Sequence, residues 1–216
     1  MHNAIDVAPE APVALRHMTG PANTTGRAYT FVTMTITDTS STTNDTAERG
    51  RRLTEAGTAW NGRIAADRTA AHLQYRVRGT GEGAVASRIT AGKHEFVIDE
   101  PAALAGDDLA ASPVEIALGA LISCQIVVFR LYAHALGIPF DEIDVTAEGD
   151  LDAARLFGVD PDVRPGFTAV RLTVELTGPE SEERYQQLRD VVDAHCPVLD
   201  LFANATPVVT AVRKAG

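Results

Sequence analysis

The chain has 216 residues, of which 45% are hydrophobic and 22% charged, and its formal net charge is −10. This length is sufficient for one domain with a substantial core. An acidic surface without a basic stripe repels phosphate backbones, so the composition favours a globular protein and argues against a nucleic-acid partner.

We expect no secretory signal, because residues 1–20 have no apolar core behind a basic start. The longest apolar run is Ile116–Phe129, which is shorter than the roughly 20 residues that a helix needs to cross a bilayer. The chain has only two cysteines, and without an export signal they do not suggest a structural disulfide framework. We therefore expect a cytoplasmic protein with no membrane partner.

The beginning of the chain differs in composition from the rest. It is rich in Thr, Ser, Ala and Asn, and Asp38–Asn44 is low in sequence complexity. Such segments bury too little apolar surface to fold alone. We predict that residues 1–46 form a poorly ordered extension and that residues 47–216 form the folded domain.

A first helix is predicted at about Thr46–Trp60. Asp45 is a candidate N-cap, and Glu48 stands three residues later, the spacing at which each side chain can bond the other's backbone N–H. The sequence therefore predicts a capped helix at the start of the domain.

A β region follows the first helix. Apolar and polar residues alternate from Leu73, and the glycine-rich segment Gly79–Gly83 is typical of a turn. Two further strands, Ala84–Thr90 and His94–Ile98, are separated by another glycine. This pattern predicts an antiparallel meander.

The central helix has the clearest signals in the sequence. Ser112 supplies an N-cap, Pro113 occupies the first helical position, and Glu115 completes a capping box. The helix is predicted to run to about Leu136 and to end at Gly137. Its middle is apolar nearly all round, which indicates a helix enclosed by a sheet or by a second subunit.

The C-terminal half is predicted to contain strands and one helix. Strands are predicted at about Glu142–Asp150 and Phe167–Thr177, a helix at about Glu180–His195, and a last strand at Pro207–Arg213. Together with the meander, these elements predict the α+β fold class.

The two cysteines each allow a structural and a chemical interpretation. Cys124 lies mid-helix, where it is either a small buried hydrophobe or a thiolate that needs a nearby cation. Cys196 precedes Pro197 at a helix break, where it either ends one helix or begins another. Their separation of 72 residues is neither a zinc spacing nor a thioredoxin spacing, so the residues alone leave both interpretations open.

Six short sequence blocks carry further information, and they are Phe96–Pro101 (FVIDEP), Ser112–Cys124 (SPVEIALGALISC), Gly137–Pro139 (GIP), Val145–Leu151 (VTAEGDL), Arg164–Phe167 (RPGF) and Asp193–Val198 (DAHCPV). In this order, over about Leu73–Val212, they closely resemble the signature of the OsmC/Ohr family of osmotically inducible and organic hydroperoxide resistance proteins. The resemblance implies an OsmC-like fold, in which antiparallel β-sheets pack around a long central apolar helix in an intertwined homodimer.

The same resemblance implies a function. Family members carry a peroxidatic cysteine in the central helix and a resolving cysteine near the C-terminus, which match Cys124 and Cys196. A Cys124 thiolate would attack an organic hydroperoxide and become a sulfenic acid, and Cys196 would then form a disulfide with it that an external dithiol reduces. The thiols supply the redox chemistry, so no cofactor is expected.

The activating arginine of the family has no direct counterpart. The better-studied members carry it in the glycine turn of the first hairpin, and here the segment Gly79–Gly83 contains none. Arg76, Arg78 and Arg88 are nearby substitutes for a cation beside Cys124, and the sequence does not choose among them.

The carboxylate that holds this arginine in the better-studied members directly follows the helix proline, where this chain has Val114. Glu115 is nine residues before Cys124, and at about 100° per residue it lies on the opposite side of a straight helix. Its capping role explains Glu115, so we assign it no catalytic role.

A metal site is not expected, because the histidines show no ligand spacing and the acidic loop lacks the EF-hand pattern. The residues concerned are His72, His94, His134, His195, Asp99, Glu100, Asp107 and Asp108. We interpret these acids as a solvated loop. The missing arginine and carboxylate leave a second hypothesis, a non-catalytic small-molecule or lipid-like ligand binder on the same fold.

Overall fold

The computed structural model describes residues 42–216, with side chains in the first helix from Thr46 onward. Most of the predicted extension, residues 1–41, lies outside the described residues. Helix α1 spans Thr42–Ala66, so it begins earlier and ends later than predicted. The N-cap assignment of Asp45 was wrong, because the helix is already formed three residues before it. Ion pairs between Arg51 and both Glu48 and Glu55, one turn away on either side, lie within the part of the helix that was predicted.

The first sheet is antiparallel, with β1 (Val77–Glu82), β2 (Ala86–Ala91) and β3 (His94–Ile98) in sequence order. The meander was predicted, but the first turn was misplaced. Strand β1 continues through the glycines to Glu82, and the chain reverses at Gly83, whose φ is +55°. Gly79 pairs with Ile89, and a Cβ at Gly79 would lie 3.0 Å from the Ile89 Cδ1 atom. Because Gly79 has no side chain, it leaves room for the Ile89 side chain of the paired strand.

The loop between β3 and the central helix is built around Asp99. This residue is 1% exposed, and its Oδ2 accepts hydrogen bonds from the backbone N–H groups of Asp107 and Leu109, both at 3.1 Å. The interpretation of all four loop acids as solvated was therefore wrong for Asp99. A buried carboxylate is tolerated when backbone donors satisfy it.

The central helix, α2, spans Pro113–Leu136 and has the caps that the sequence predicted. The Glu115 carboxylate accepts from the Ser112 backbone N–H at 2.8 Å, and the Ser112 hydroxyl accepts from the Glu115 N–H at 3.4 Å. Gly137 ends the helix in the left-handed region with φ 60°. Because Cβ crowding makes this conformation costly for other residues, glycine is favoured there.

The second sheet pairs β4 (Glu142–Leu151) with β5 (Phe167–Thr177) in antiparallel fashion. Apolar side chains of both strands alternate toward α2, as predicted for β5. Helix α3 spans Glu182–His195, and a short helix, α4, spans Pro197–Ala203. Two short 3-10 turns, Arg68–Ala71 and Ala102–Leu104, complete the regular structure of the described residues.

The predicted last strand, Pro207–Arg213, is not present in the described chain. After Ala203 the chain forms no helix or strand, and Val208, Val209 and Val212 are 84–94% exposed. A strand needs a neighbour that accepts its ladder hydrogen bonds. The single chain supplies none at this segment, which explains why the β propensity of the valines is not expressed.

The main core lies where α2 packs against α3, α4 and β4. It is formed by buried side chains of α2 and α3 together with two residues at helix ends, and they are Val128, Phe129, Ala133, Ile138, Leu188, Val192 and Cys196. The three-stranded sheet contacts mainly itself, with no comparable packing onto α2 or the second sheet within residues 42–216. The arrangement confirms the predicted α+β fold, with four helices, one of them long and apolar, and antiparallel sheets.

Helix α2 is longer than the apolar run seen in the sequence. By length and composition Pro113–Leu136 is apolar enough to cross a membrane, and 22% of its most apolar 18-residue window is buried. The argument that this segment is too short was therefore wrong. The packing of α2 against α3, α4 and β4 is typical of the core helix of a folded domain. Much of the remaining apolar surface of α2 is not covered by its own chain.

Candidate functional site

The structure brings Cys124 and Cys196 together. Cys124 lies in the middle of α2, and Cys196 lies between α3 and α4. Cys196 belongs to the buried core, Cys124 packs against that core, and the two side chains interact directly. Both cysteines are free thiols. The pair selected from the sequence therefore forms one thiol cluster at the junction of three helices.

The position of Cys196 follows from the proline after it. Pro197 has no backbone N–H and disfavours a helical conformation in the preceding residue, so α3 ends at His195 and α4 begins at Pro197. Cys196 is extended, with φ −85° and ψ 108°, and its Sγ accepts from the Leu199 backbone N–H at 3.5 Å. Of the two alternatives that the sequence left open, Cys196 fulfils both: it ends α3 and caps α4.

Burial is the main reason why the pKa of the Cys196 thiol is raised above its ordinary value. The backbone N–H groups of Leu199 and Val198 act in the opposite sense, and the hydrogen bond and charge of the Cys124 side chain raise the pKa further. Burial and the neighbouring sulfur therefore both favour the neutral form of the Cys196 thiol.

The two sulfurs differ in access. Cys196 is 2% exposed, whereas Cys124 is only partly buried. A reagent that arrives from solvent therefore reaches Cys124 before Cys196.

Two polar residues adjoin the pair: His195, which was considered from the sequence only as a metal ligand, and Gln125, which was not singled out. His195 places Nδ1 2.6 Å from the Val191 carbonyl oxygen, which can only accept, so Nδ1 carries a proton; the ring packs against Tyr132 at 4.5 Å. Gln125 is 1% exposed and donates from Nε2 to Asp193 Oδ1 at 3.4 Å. A polar residue inside an apolar helical run was the available signal for Gln125.

The candidate arginines are not seen beside the thiols. Arg88 forms a two-point ion pair with Glu82 across the first hairpin, at 2.6 and 2.9 Å. Arg76 and Arg78 are exposed and make no hydrogen bond or ion pair to any described residue. The groups that shift the pKa of Cys196 within residues 42–216 include no cation. Glu115 is a capping residue, as expected, and no catalytic role is assigned to it.

The histidines considered as metal ligands have other surroundings. His134 Nε2 lies 2.8 Å from the Thr54 hydroxyl, whose proton goes to the Gly50 carbonyl, so His134 is the donor in that contact. Across the described residues, no three His, Cys, Asp or Glu side chains are grouped so that they could hold a metal ion.

A family model described as OsmC-like protein matches residues 106–211. An OsmC-like protein from Mycoplasma pneumoniae has a similar crystal structure, with a TM-score of 0.54 and 17% identity over 61% of this chain and 88% of that one. An organic hydroperoxide resistance protein OsmC from Legionella pneumophila gives a TM-score of 0.49 and 20% identity, over 61% and 90%.

The organic hydroperoxide resistance protein OhrB of Bacillus subtilis gives a TM-score of 0.43 and 21% identity, over 60% of this chain and 90% of that one. No curated protein matches the chain significantly. At these identities the likeness to solved structures shows the fold and carries no statement about activity.

Proposed function

This chain belongs to the OsmC-like family, and from that premise we propose that it is a thiol peroxidase that reduces organic hydroperoxides through Cys124 and Cys196. The observation that carries the proposal is geometric: a partly exposed Cys124 packs against the core that contains the buried Cys196, and its side chain raises the pKa of the Cys196 thiol. Two thiols in contact can exchange two electrons with a peroxide and close as a disulfide.

The proposed first step is attack by the Cys124 thiolate on the terminal oxygen of the hydroperoxide. A sulfur–oxygen bond forms, the oxygen–oxygen bond breaks, and the organic product leaves as an alkoxide that takes a proton to become an alcohol. Cys124 is then a sulfenic acid. The thiolate is oxidised by two electrons and the hydroperoxide is reduced by two.

In the second step, the Cys196 sulfur attacks the Cys124 sulfur of the sulfenic acid. The disulfide forms and the hydroxyl group leaves as water, taking up the proton that Cys196 carried. An external dithiol then reduces the disulfide by exchange and restores both thiols. A reducing compartment such as the cytoplasm would supply such a dithiol, in line with the location expected from the sequence.

We infer also that the working form is a homodimer. Val127 and Leu131 lie on the uncovered side of α2 and are 53% and 39% exposed, and the valines after Ala203 have no strand to pair with. A second copy would cover both features, since large exposed apolar patches mark interaction surfaces. Arg76 and Arg78, which have no partner within the described chain, are then available to stand beside the other subunit's Cys124.

The proposal is tested by single-turnover reaction of the reduced protein with cumene hydroperoxide. Wild type should lose two thiols per turnover and form a Cys124–Cys196 disulfide. Cys196→Ser should still reduce one equivalent, leaving a sulfenic acid that a dimedone probe traps, whereas Cys124→Ser should not react. A steady-state assay with dihydrolipoamide then tests turnover.

Equal single-turnover rates for wild type and Cys124→Ser would defeat the assignment of roles. A disulfide requires Cα atoms about 4.4–6.8 Å apart, so failure to form it under mild oxidation would also exclude the second step.

One observation favours a different function. Within the described residues, Arg88 is paired with Glu82 and the side chains of Arg76 and Arg78 are exposed, so none of the three candidate arginines is seen beside the thiols. The second candidate is therefore a non-catalytic binder of small or lipid-like molecules. Thiol titration before and after exposure to an organic hydroperoxide separates the two, because a binder retains both thiols.

A further inference from the structure

A cavity of about 610 Å³ lies between α2, β5 and α3. Its apolar wall is formed by Leu172, Val174 and Leu176 on the inner face of β5 and by Phe129 of α2. Neither cysteine is among the residues that line it. Its volume lies within the range of roughly 300–1,000 Å³ that is typical of small-molecule sites, so the cavity can hold a ligand separately from the thiol cluster.

Gln125 gives this cavity a buried hydrogen-bond acceptor. Its Nε2 donates to the Asp193 carboxylate, and a carboxylate can only accept, so the orientation of the amide is fixed. Gln125 Oε1 has no hydrogen-bond partner among residues 42–216. In that range, Asp99 Oδ1 is the sole buried side-chain atom that is sealed from solvent and has no hydrogen-bond partner. Because Gln125 Oε1 also has no partner but is not sealed, it is open to the cavity that Gln125 lines.

Two other polar groups of the lining, the Tyr185 hydroxyl and the Arg189 guanidinium, are already engaged. The Tyr185 hydroxyl donates to the Pro139 carbonyl at 3.1 Å and accepts from the Glu180 N–H at 3.4 Å. Arg189 pairs with Asp190 at 2.6 Å. An unpartnered acceptor on a residue that is 1% exposed costs free energy unless a donor reaches it. The cavity therefore favours a ligand that brings a donor to Gln125.

We propose that this cavity binds a neutral amphiphile that has one hydroxyl donor and an apolar alkyl or aryl body. The apolar body lies against the inner face of β5, and the hydroxyl donates to Gln125 Oε1. An anionic head would face the carboxylates of Asp193 and Glu180. An ammonium head would have to compete with Arg184 for Glu180 and with Gln125 for Asp193, whereas a hydroxyl needs only the free Gln125 Oε1. The inference goes beyond the proposed peroxidase activity and does not depend on it.

The test is isothermal titration of the full, reduced chain with octanol and with its isomer heptyl methyl ether, which has the same number of heavy atoms and no donor. We expect octanol to bind about tenfold more tightly, the effect of one hydrogen bond to a buried acceptor. Equal affinities, or no saturable binding of octanol, would overturn the proposal. Tighter binding of octylammonium than of octanol would overturn the neutral head group. The probes contain no peroxide, so failure here is independent of the thiol assay.

Variants locate the hydrogen bond. Gln125→Leu should bring the ratio of the two dissociation constants to about one by weakening octanol binding, whereas Gln187→Leu, an exposed residue of α3 outside the lining, should keep it near ten. A tenfold preference that persists in Gln125→Leu would reject the site.

Asp193→Asn provides a second variant at an exposed position, in case Gln125→Leu does not fold. An asparagine can donate as well as accept, so the Gln125 amide is free to turn its N–H toward the cavity. The preference for octanol should then fall below about threefold. An unchanged ratio would show that Asp193 does not orient the amide and would overturn the assignment of Oε1 as the acceptor.

Discussion

The two halves of the described chain, residues 42–111 and 112–216, differ in how much of their apolar surface the chain covers. In the second half, Leu121 and Leu188 are fully buried, and the thiol pair lies within the same packed region. In the first half, Tyr75 is 85% exposed and Phe96 is 40% exposed, although both belong to a segment with an apolar pattern. The sequence pattern is similar in the two halves, so the difference lies in the partner available to each.

This difference indicates where the chain is self-sufficient. The helix junction around Cys124 and Cys196 needs only elements of its own chain, and it lies within the region matched by the family model. The three-stranded sheet, one side of α2 and the last twelve residues need another surface. A second copy of the chain is the partner that we propose, since it would present the same unpaired features in return.

A matched pair of phenylalanines measures this contrast. Phe129→Ala removes a core ring that is 1% exposed and should lower the free energy of unfolding by about 3–5 kcal/mol. In the single chain, Phe96→Ala, in β3, should cost about 1 kcal/mol, because much of the ring is already in contact with water, and the cost should be larger where a second copy covers the sheet. Denaturant unfolding at one fixed protein concentration measures both values. Equal costs would show that the assembled protein buries the first sheet as deeply as the core.

A charged residue on the uncovered side of α2 tests the dimer. Val127→Asp should raise the dimer dissociation constant at least tenfold, because the carboxylate would lose water without gaining a partner. Val159→Asp, in the loop before β5 and 77% exposed, is the matched control and should leave it unchanged. Sedimentation velocity over a range of concentrations gives both constants. A wild-type protein that stays monomeric throughout would remove the basis of the contrast.

The buried acid of the first half predicts a pH effect. Backbone N–H groups hold the pKa of Asp99 below its ordinary value of 3.8. The largest effect comes from the Glu100 N–H and the next from the Leu109 N–H. The Oδ1 atom of Asp99 has no well-formed hydrogen bond. Because the folded-state pKa lies below the unfolded value, the stabilisation is fully present above about pH 4 and is lost as the pH falls through the folded-state pKa.

Asp99→Asn should therefore lower the melting temperature at pH 7, and the gap to wild type should narrow as the pH falls below about 4. Melting curves from pH 7 to pH 2.5 measure it. Asp107→Asn is the control, since Asp107 bonds to Asp99 through its backbone and not its carboxylate. A gap that stays constant with pH would show that the Asp99 charge does not stabilise the loop.

The sequence predicted most accurately the elements whose signals are local. The caps of α2 depend on residues within one turn, and both Ser112 and Gly137 were identified. Strand β5 was also predicted with its bounds, because its alternation reflects a face that its own chain covers. The last strand was predicted where none is formed, since a strand depends on a neighbour that the pattern does not specify.

The site could be predicted in part. Family resemblance paired Cys124 with Cys196, a relation that the residues alone left open. The raised pKa of Cys196 and the free acceptor on Gln125 depend on burial and on contacts between distant segments, and neither is encoded in a local spacing. The sequence offered three arginines, and the ion pair of Arg88 with Glu82 became visible only once β1 and β2 were paired.

The misplaced glycine turn supports the smallest of the predicted effects. Gly83 has φ +55°, a conformation that is unfavourable for residues with a Cβ, so Gly83→Ala should cost about 1 kcal/mol. Gly79 lies within β1 at negative φ, a conformation that alanine also adopts. Alanine there would stabilise the protein slightly, because it restricts the unfolded chain. Its Cβ would crowd only the flexible end of the Ile89 side chain, which costs little. These opposing effects should leave Gly79→Ala within about 0.5 kcal/mol of wild type. Denaturant unfolding of the two variants measures the difference. A larger cost for Gly79→Ala than for Gly83→Ala would restore the turn to the position that the sequence suggested, and it would shift the register of the whole first sheet.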